Sequence, residues 1–361
     1  MMGAIMNLYD SKLYMEDVRY VAGLDLSWEE LQNKSILLSG ATGLLGSFLV
    51  DVLMEKNVAG LNCEVYALGR NKAKADIRFS KYANDPRLVF IPYDVKKPFI
   101  RDDIGTVDYV LHLASNTHPV QYATDPIGTI TTNIIGLQNM LDFAVEHHTS
   151  RFAFASSNEI YGENRGDVEF FDESYCGYVD SNTLRAGYPE SKRCGEALCQ
   201  AYKTQKGLDI VIPRFTRSYG PTMLMSDTKA LSQFIKKGIA GEDIVLKSAG
   251  TQYYSYQYVV DSVSGLLTIL LCGDSGEAYN IAEEHSDIML KDLAAIIAEI
   301  NGKSVVFEIP DAVEASGYSK ATKARLDGHK LQALGWKPKY EIQSGIERTI
   351  EILKEANDFI E

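Results

Sequence analysis

The chain has 361 residues, 45% of them apolar and 24% charged, the balance of an ordinary globular protein large enough for one big unit or two joined ones. Its formal net charge of −13 leaves no basic excess to displace polynucleotide counterions, so no nucleic-acid partner is expected, while local basic pockets for a phosphorylated small molecule stay open. The five cysteines (Cys63, Cys176, Cys194, Cys199, Cys272) lack CxxC spacing and the six histidines form no ligand pattern, which points to idle thiols in a reducing cytosol and to no metal.

Residues 1–33 carry neither the basic start nor the unbroken apolar core of a signal peptide. No stretch of the chain approaches the roughly 20 apolar residues of a membrane span, so a cytoplasmic protein with no membrane partner is expected. These residues read as a helical extension, with Ser27 and Glu30 spaced for a capping box.

From Lys34 the pattern alternates. "KSILLSG" is a short buried-type strand and "ATGLLGSFLVDVLMEKN" is helical; "CEVYALG", "RLVFIPYDV" and "VDYVLHLAS" are further strands. "TITTNIIGLQNMLDFAVEHH" is helical, and "RFAFASS" and "LDIVIPRF" are strands that flank a helix carrying "YPESK". Alternation of this kind predicts an α/β fold, a Rossmann-type doubly wound parallel sheet over residues 34–220. After Pro221, helical segments such as "KALSQFIKKGIAG" and "IMLKDLAAIIAEING" alternate with short strands such as "DIVLKS" and "SVVFEIP". Residues 221–361 therefore read as a smaller C-terminal α/β substrate-binding lobe, interleaved with the first domain, since no flexible linker separates the two.

"SGATGLLG" places Gly40, Gly43 and Gly46 where the first strand turns into the first helix. Glycines at this spacing serve a tight turn, close approach to a pyrophosphate and close helix–strand packing, and the helix N-terminus faces the phosphates. A dinucleotide is the expected ligand. An NAD site usually has an acidic residue at the end of the second strand, yet here that strand ends in Gly69 and Arg70. Arg70 either pairs with a 2′-phosphate or stacks on the adenine and faces water, so NAD and NADP both remain open. Asp94 is placed to cap the adenine amino group.

Tyr188 and Lys192 lie four apart on one helical face, roughly 5–6 Å between Cβ atoms. The ammonium is expected to favour the phenolate and lower a pKa that is ordinarily about 10, making Tyr188 a base for a substrate hydroxyl. Pro189 suits the first turn of this helix and Gly207 its C-terminal cap, with Cys194, Ala197, Leu198, Ala201 and Tyr202 as the expected buried stripe. Ser156 and Ser157 fall at the C-terminal end of a strand, where a hydroxyl can hydrogen-bond the oxygen being oxidised.

On these motifs, together with "LHLAS", "TTNIIGLQNML", "RSYGP" and "QYVVDSVSGLL", the chain from Lys34 onward resembles the extended short-chain dehydrogenase/reductase family, the NAD-dependent epimerases and dehydratases of nucleotide sugars. The resemblance implies a tightly held NAD or NADP contacted by Gly40, Thr42, Gly43, Leu44, Leu45, Gly46, Leu113, Ala114 and Ser115 as well as by Tyr188 and Lys192. It implies Ser157, Tyr188 and Lys192 as catalytic residues, Asn133 as the family's helix asparagine, a nucleotide-diphosphate sugar as substrate, and a homodimer. "HLASNTHPVQYATDPIGTITTN" and "DESYCGYVDSNTLRAGYPESKR" are most similar to the UDP-glucuronate decarboxylase branch, Arg185 included. Glu159 matches an acidic residue shared by decarboxylases and 4,6-dehydratases; as a proton handler it would follow oxidation of the sugar 4-hydroxyl to a 4-keto group, which acidifies the 5-position. Asn158 stands where similar dehydratases often carry Asp.

Two departures mark this chain. Tyr254 occupies the place of the family's arginine ahead of the "YVxD" segment, and Arg217 replaces the usual asparagine before "xYGP". The implied rearrangement leaves Arg185, Arg217 and Lys229 to hold anionic groups of the substrate, beside Asn133, Asn158 and Tyr254. The expected activity is 4-oxidation followed by decarboxylation or dehydration. Alternatives are a nucleotide-sugar 4-epimerase and a cofactor-binding scaffold without catalysis.

Overall fold

The structure, a computed structural model, describes residues 7–101, 103–117, 119–308 and 322–358; residues 1–6 of the extension and His118 in the segment after the fourth strand lie outside the described residues. Eight strands form one wholly parallel sheet: β1 (Ser35–Ser39), β2 (Glu64–Gly69), β3 (Leu88–Pro92), β4 (Tyr109–His112), β5 (Arg151–Phe154), β6 (Ser156–Ser157), β7 (Ile210–Phe215) and β11 (Ala278–Ile281). Their order is β11-β7-β5-β4-β1-β2-β3, with β6 beside β7. Every residue of β1 is buried because both faces are covered: Ile36 and Leu38 pack on one side with Phe48 and Leu49, while Leu37 packs on the other with Leu137 and Met140. This is why the strand reads as a continuous apolar run rather than an alternating one.

The helices are α1 (Lys12–Ala22), α2 (Leu44–Val58), α3 (Lys72–Arg78), α4 (Pro119–Thr124), α5 (Pro126–Glu146), α6 (Gly187–Lys206), α7 (Ala230–Ile239), α8 (Val259–Cys272), α9 (Leu290–Ile300) and a C-terminal helix, Ile342–Asp358. Among the described residues, no helix is long and apolar enough to cross a membrane. The lobe is built on β8 (Arg217–Tyr219), β10 (Tyr253–Tyr258), β12 (Asp287–Met289) and β14 (Lys323–Ala324), and on a separate pair, β9 (Ile244–Leu246) with β13 (Val305–Phe307). Between these pieces, α8 and β11 return to the main sheet, so the two parts of the chain are threaded through one another.

Two local expectations are corrected. Ser27 makes no capping hydrogen bond, and Trp28–Leu31 is a single 3₁₀ turn, too short for the reciprocal bonds of a capping box. The true helix of the extension is α1, capped by Ser11 Oγ, which accepts from Tyr14 N at 3.2 Å. In α6 the buried positions are Tyr188, Pro189, Ser191, Lys192, Gly195 and Cys199, whereas Cys194 and Ala197 are exposed. The helix is rotated from the expected stripe because Gly195 lets it sit against β5 and α5: a Cβ there would lie 2.6 Å from the Phe154 ring and 3.1 Å from Leu137. Gly207 does end α6, at φ 69°.

The extension stitches the two parts together. Asp17 of α1 accepts from Tyr258 Oη at 2.7 Å, Tyr340 Oη at 2.7 Å and Arg348 Nε at 2.6 Å. On its other side, Tyr9 and Tyr14 donate to Asp51 of α2, which is paired with Arg78 of α3 at 2.5 Å.

Candidate active site

The glycine loop lies at the C-terminal end of β1, where strand order reverses between β1 and β4, the crevice in which doubly wound sheets bind ligands. Gly40 has φ +76°, and a Cβ on it would stand 2.8 Å from Ala114 N; one on Gly46 would run into Gly40 O. These contacts pack the loop against Leu113–Ala114, where Leu113 N and Ala114 N bond Ser39 O and Oγ at 3.2 and 3.3 Å. Gly43 is the N-cap of α2 and no side chain caps the helix, so the amides of its first turn, from Leu44 to Gly46, face the crevice mouth without a capping group. Thr42 is part of the same turn, and Thr222 Oγ1 closes it from the lobe side on Leu44 O at 2.8 Å. These residues fit a dinucleotide pyrophosphate. Arg70 is exposed just past β2, and Asp94, past β3, accepts from Lys96 N at 3.1 Å.

Tyr188 is 7% exposed at the start of α6 and Lys192 is 2% exposed one turn on. The expected lowering of the tyrosine by the lysine is corrected. Burial pushes the Tyr188 phenol up to about 12; hydrogen bonds from Ser157 and Ser115 and the charge of Arg185 pull it down, against the charge of Glu159. Lys192 is itself desolvated, which pulls it down to about 7, and its ammonium donates to Ala155 O at 2.7 Å, lying 5.9 Å from the Tyr188 ring centre. Ser157 stands on β6 opposite Phe215 of β7, and its Oγ caps the turn that follows by accepting from Glu159 N at 3.2 Å. Asn158 is buried behind it, Oδ1 3.5 Å from Ser157 Oγ.

Glu159 is held by Arg185, whose Nη2 lies 2.7 Å from both carboxylate oxygens. Arg185 also lies over the Tyr122 ring at 4.8 Å, and Tyr122 stacks on Tyr188 at 5.0 Å between centroids. The remaining nitrogens of Arg185, Nε and Nη1, are buried with no acceptor. The same is true of Nη1 of Arg217, whose guanidinium stacks 3.4 Å above the centre of the Tyr254 ring. Among the described residues these are the buried cationic nitrogens left without a bond. Lys229 pairs with Asp227 at 3.3 Å. Asn133 is corrected as a substrate contact. It is fully buried, its Oδ1 accepts from Ser115 Oγ at 2.7 Å and its Nδ2 donates to Ser191 Oγ at 2.8 Å, so it orients Ser115 from behind.

Tyr122 and Glu196 escaped the sequence reading. Tyr122 lies in "VQYATD", inside a segment already matched to the decarboxylase branch, but no role was read for the residue itself, and only its stacking on Tyr188 gives it away. Glu196, at Lys192 plus four, was visible by spacing but has meaning only through partners on other strands.

Residues 36–282 match the NAD dependent epimerase/dehydratase family. UDP-glucuronic acid decarboxylase 5 of Arabidopsis thaliana is 32% identical over 317 residues, 87% of each chain. UDP-glucuronic acid decarboxylase 1 of Xenopus tropicalis is 31% identical over 327 residues, 90% of this chain and 73% of that one. Among solved structures, a dTDP-glucose 4,6-dehydratase from Streptomyces venezuelae superposes with a TM-score of 0.77 at 24% identity, covering 90% of this chain and 98% of that one. A UDP-glucuronic acid 4-epimerase from Bacillus cereus gives 0.75 at 23% identity, covering 89% and 99%. The parallel sheet with its switch-point crevice is thus shared with both structures, and with more than half of its length inside the family match, this chain belongs to the NAD-dependent epimerase/dehydratase family.

Proposed function

We propose that the protein oxidises a nucleotide-diphosphate hexuronate at its 4-position with an NAD-type cofactor and then decarboxylates it. The observation that carries this reading is Arg185: a guanidinium beside Tyr188 that spends one nitrogen on Glu159 and keeps two buried N–H-bearing nitrogens without an acceptor. These two nitrogens lie on opposite sides of the guanidinium, so each can donate separately to anionic oxygens of a substrate, those of a carboxylate included. A hexuronate supplies one at the carbon next to the 5-position, whereas a dehydratase substrate has a neutral hydroxymethyl there. Asn158, where an acid would serve the departing hydroxyl, supports the same choice.

Bound NAD would supply an acceptor, and later a donor, for the hydride of the sugar 4-carbon. Tyr188 accepts the 4-hydroxyl proton as the phenolate, a form that the positive charge of an oxidised nicotinamide would favour against burial, with Ser157 hydrogen-bonded to the same oxygen. The Gly40–Gly46 loop would hold the pyrophosphate of the cofactor, and Lys192, bonded to Ala155 O, places its amine 5.9 Å from the Tyr188 ring centre. The 4-keto product is a β-keto acid, and loss of carbon dioxide leaves an enolate at the 5-position. Glu159, held beside Tyr188 by Arg185, handles the proton delivered there. Arg217 and Lys229 serve the substrate's anionic groups. Ile127, Ile130 and Ile135 are exposed on α5, and Cys194 and Ala197 are exposed on α6, which packs against it. These exposed apolar residues support a homodimer built on α5 and α6, and the chain's features fit a cytoplasmic location.

The test is incubation with UDP-glucuronate, UDP-glucose and dTDP-glucose, with mass spectrometry of the products. Loss of carbon dioxide from UDP-glucuronate is the expected result. Loss of water from a neutral sugar, or an unchanged mass with inversion at the 4-carbon seen by NMR, would replace decarboxylation with dehydration or epimerisation. Glu159→Gln should abolish formation of the nucleotide-diphosphate pentose while leaving cofactor binding intact.

A further inference from the structure

Glu196 sits one turn beyond Lys192 on α6, and its carboxylate faces the back of the site. It accepts from Ser156 Oγ and from Arg214 of β7 through Nε at 3.0 Å and Nη2 at 2.7 Å. The pair is poorly accessible, the two side chains being 10% and 15% exposed. The third nitrogen of Arg214, Nη1, donates to Tyr161 Oη at 2.9 Å and to Glu173 O at 2.7 Å. Tyr161 in turn donates to Asn280 Oδ1 at 2.6 Å, and Asn280 is tied through Nδ2 to Phe171 O and Asp327 O. One ion pair therefore grips both ends of the turn Ser156–Tyr161: the first residue through Glu196, the last through Arg214. Ser157, Asn158 and Glu159 lie between the two grips.

We propose that Glu196 and Arg214 are positioning residues for the reaction: their ion pair fixes both ends of the Ser156–Tyr161 turn and so sets the Ser157 hydroxyl and the Glu159 carboxylate against Tyr188. The inference rests on the reading of Ser157 and Tyr188 as the proton-handling pair. Cohesion alone does not call for these charges, because a well-packed apolar pair of similar volume commonly holds two elements together as well as a buried ion pair does. An apolar pair cannot aim two hydroxyls. The direction of the Ser157 bond matters to chemistry because it is the leading influence that draws the Tyr188 phenol down against burial.

Two variants separate aiming from holding. Ser156→Ala cuts the link from Glu196 to the strand but leaves the ion pair whole; Glu196→Gln breaks the ion pair and is expected to lower stability as well. Both are read by turnover against pH and, with NAD bound, by titrating the phenolate absorbance against a Tyr188→Phe reference. Ser156→Ala should lower kcat by about 10-fold or more with KM for the nucleotide sugar unchanged, in line with the cost of small misplacements at a reacting centre. It should also move the rising limb of the pH profile and the phenolate titration upward together, while Ser156→Thr restores both. A Ser156→Ala enzyme with wild-type kcat and an unmoved titration overturns the proposal, even if Glu196→Gln melts early, for the pair would then serve the fold alone. Failure of the unaltered enzyme to turn over any nucleotide sugar would instead sink the functional reading, and the titration, which needs no substrate, would still report on the positioning.

Discussion

Replacing Lys192 by methionine exposes the energetic cost of the candidate site. The lysine is 2% exposed, and burial draws its pKa from the ordinary 10.5 down to about 7. On unfolding the amine regains water and its ordinary value. Between about pH 7 and about pH 10 the unfolded chain therefore holds a proton that the folded chain has released, so this residue makes stability rise with pH across that window. Below about pH 7 the ammonium is present in both states and its burial is an undiminished penalty.

The size follows from the shift. Each unit of pH above the folded pKa adds about 1.4 kcal/mol, which integrates to ~2 kcal/mol from about pH 7 to about pH 9. Spread over 361 residues at ~2.1 cal/mol/K each, that is about 3 °C in Tm. Methionine has a similar length and does not titrate. The Tm of the unaltered protein should therefore gain about 3 °C on that of Lys192→Met over this window, in cofactor-free protein in matched buffers. The variant should be at its relative best at the acidic end, where it escapes the buried charge and loses only the bond to Ala155 O, and it should be inactive. Scanning calorimetry of both proteins across the window is the assay. A gap that stays level, or that opens the other way, would mean that Lys192 keeps its ordinary proton affinity in the fold, and the desolvation argument for the site would fail.

Gly46→Ala should raise the Kd for NAD by about 10-fold or more, because the new Cβ must displace Gly40 O from the loop; isothermal titration checks this, and unchanged affinity would remove the loop from the cofactor site. Arg185→Lys should lower kcat/KM by about 10–100-fold, since a point charge cannot serve Glu159 and a second carboxylate together. Steady-state kinetics on UDP-glucuronate with Tm as a control would show it. Asp17→Ala leaves the buried Tyr258 hydroxyl and its neighbours without their acceptor and should cost about 2–5 kcal/mol in urea unfolding; a loss under about 1 kcal/mol would mean that α1 does not brace the lobe.

The sheet was legible because a strand buried on both faces is mostly apolar: "SILLS" and "IVIPRF" announce themselves, every residue of both is buried, and the one charge among them, Arg214, is paired with Glu196. The glycine loop was legible for a steric reason, since Gly40 needs a left-handed φ and Gly46 has no room for a side chain. The spacing of Tyr188 and Lys192 was legible from helical repeat alone. What the spacing did not determine was the electrostatics, because a pKa depends on the depth of burial and on every charge around the group. Burial raises Tyr188 and lowers Lys192, and the groups that restrain the tyrosine come from β6, from the end of β4 and from Arg185.

Likewise the buried side of α6 was misjudged, since Cys194 and Ala197 are as apolar as Gly195 and Cys199, and only the shape of β5 and α5 chooses between them. The extension shows the same division most plainly. Its helical character is local and could be read, although the cap proved to be Ser11 rather than Ser27. That Asp17 meets Tyr258, Tyr340 and Arg348, more than two hundred residues away in each case, was decided by the fold alone, because hydrogen-bond partners brought together by chain threading leave no periodic trace in a sequence.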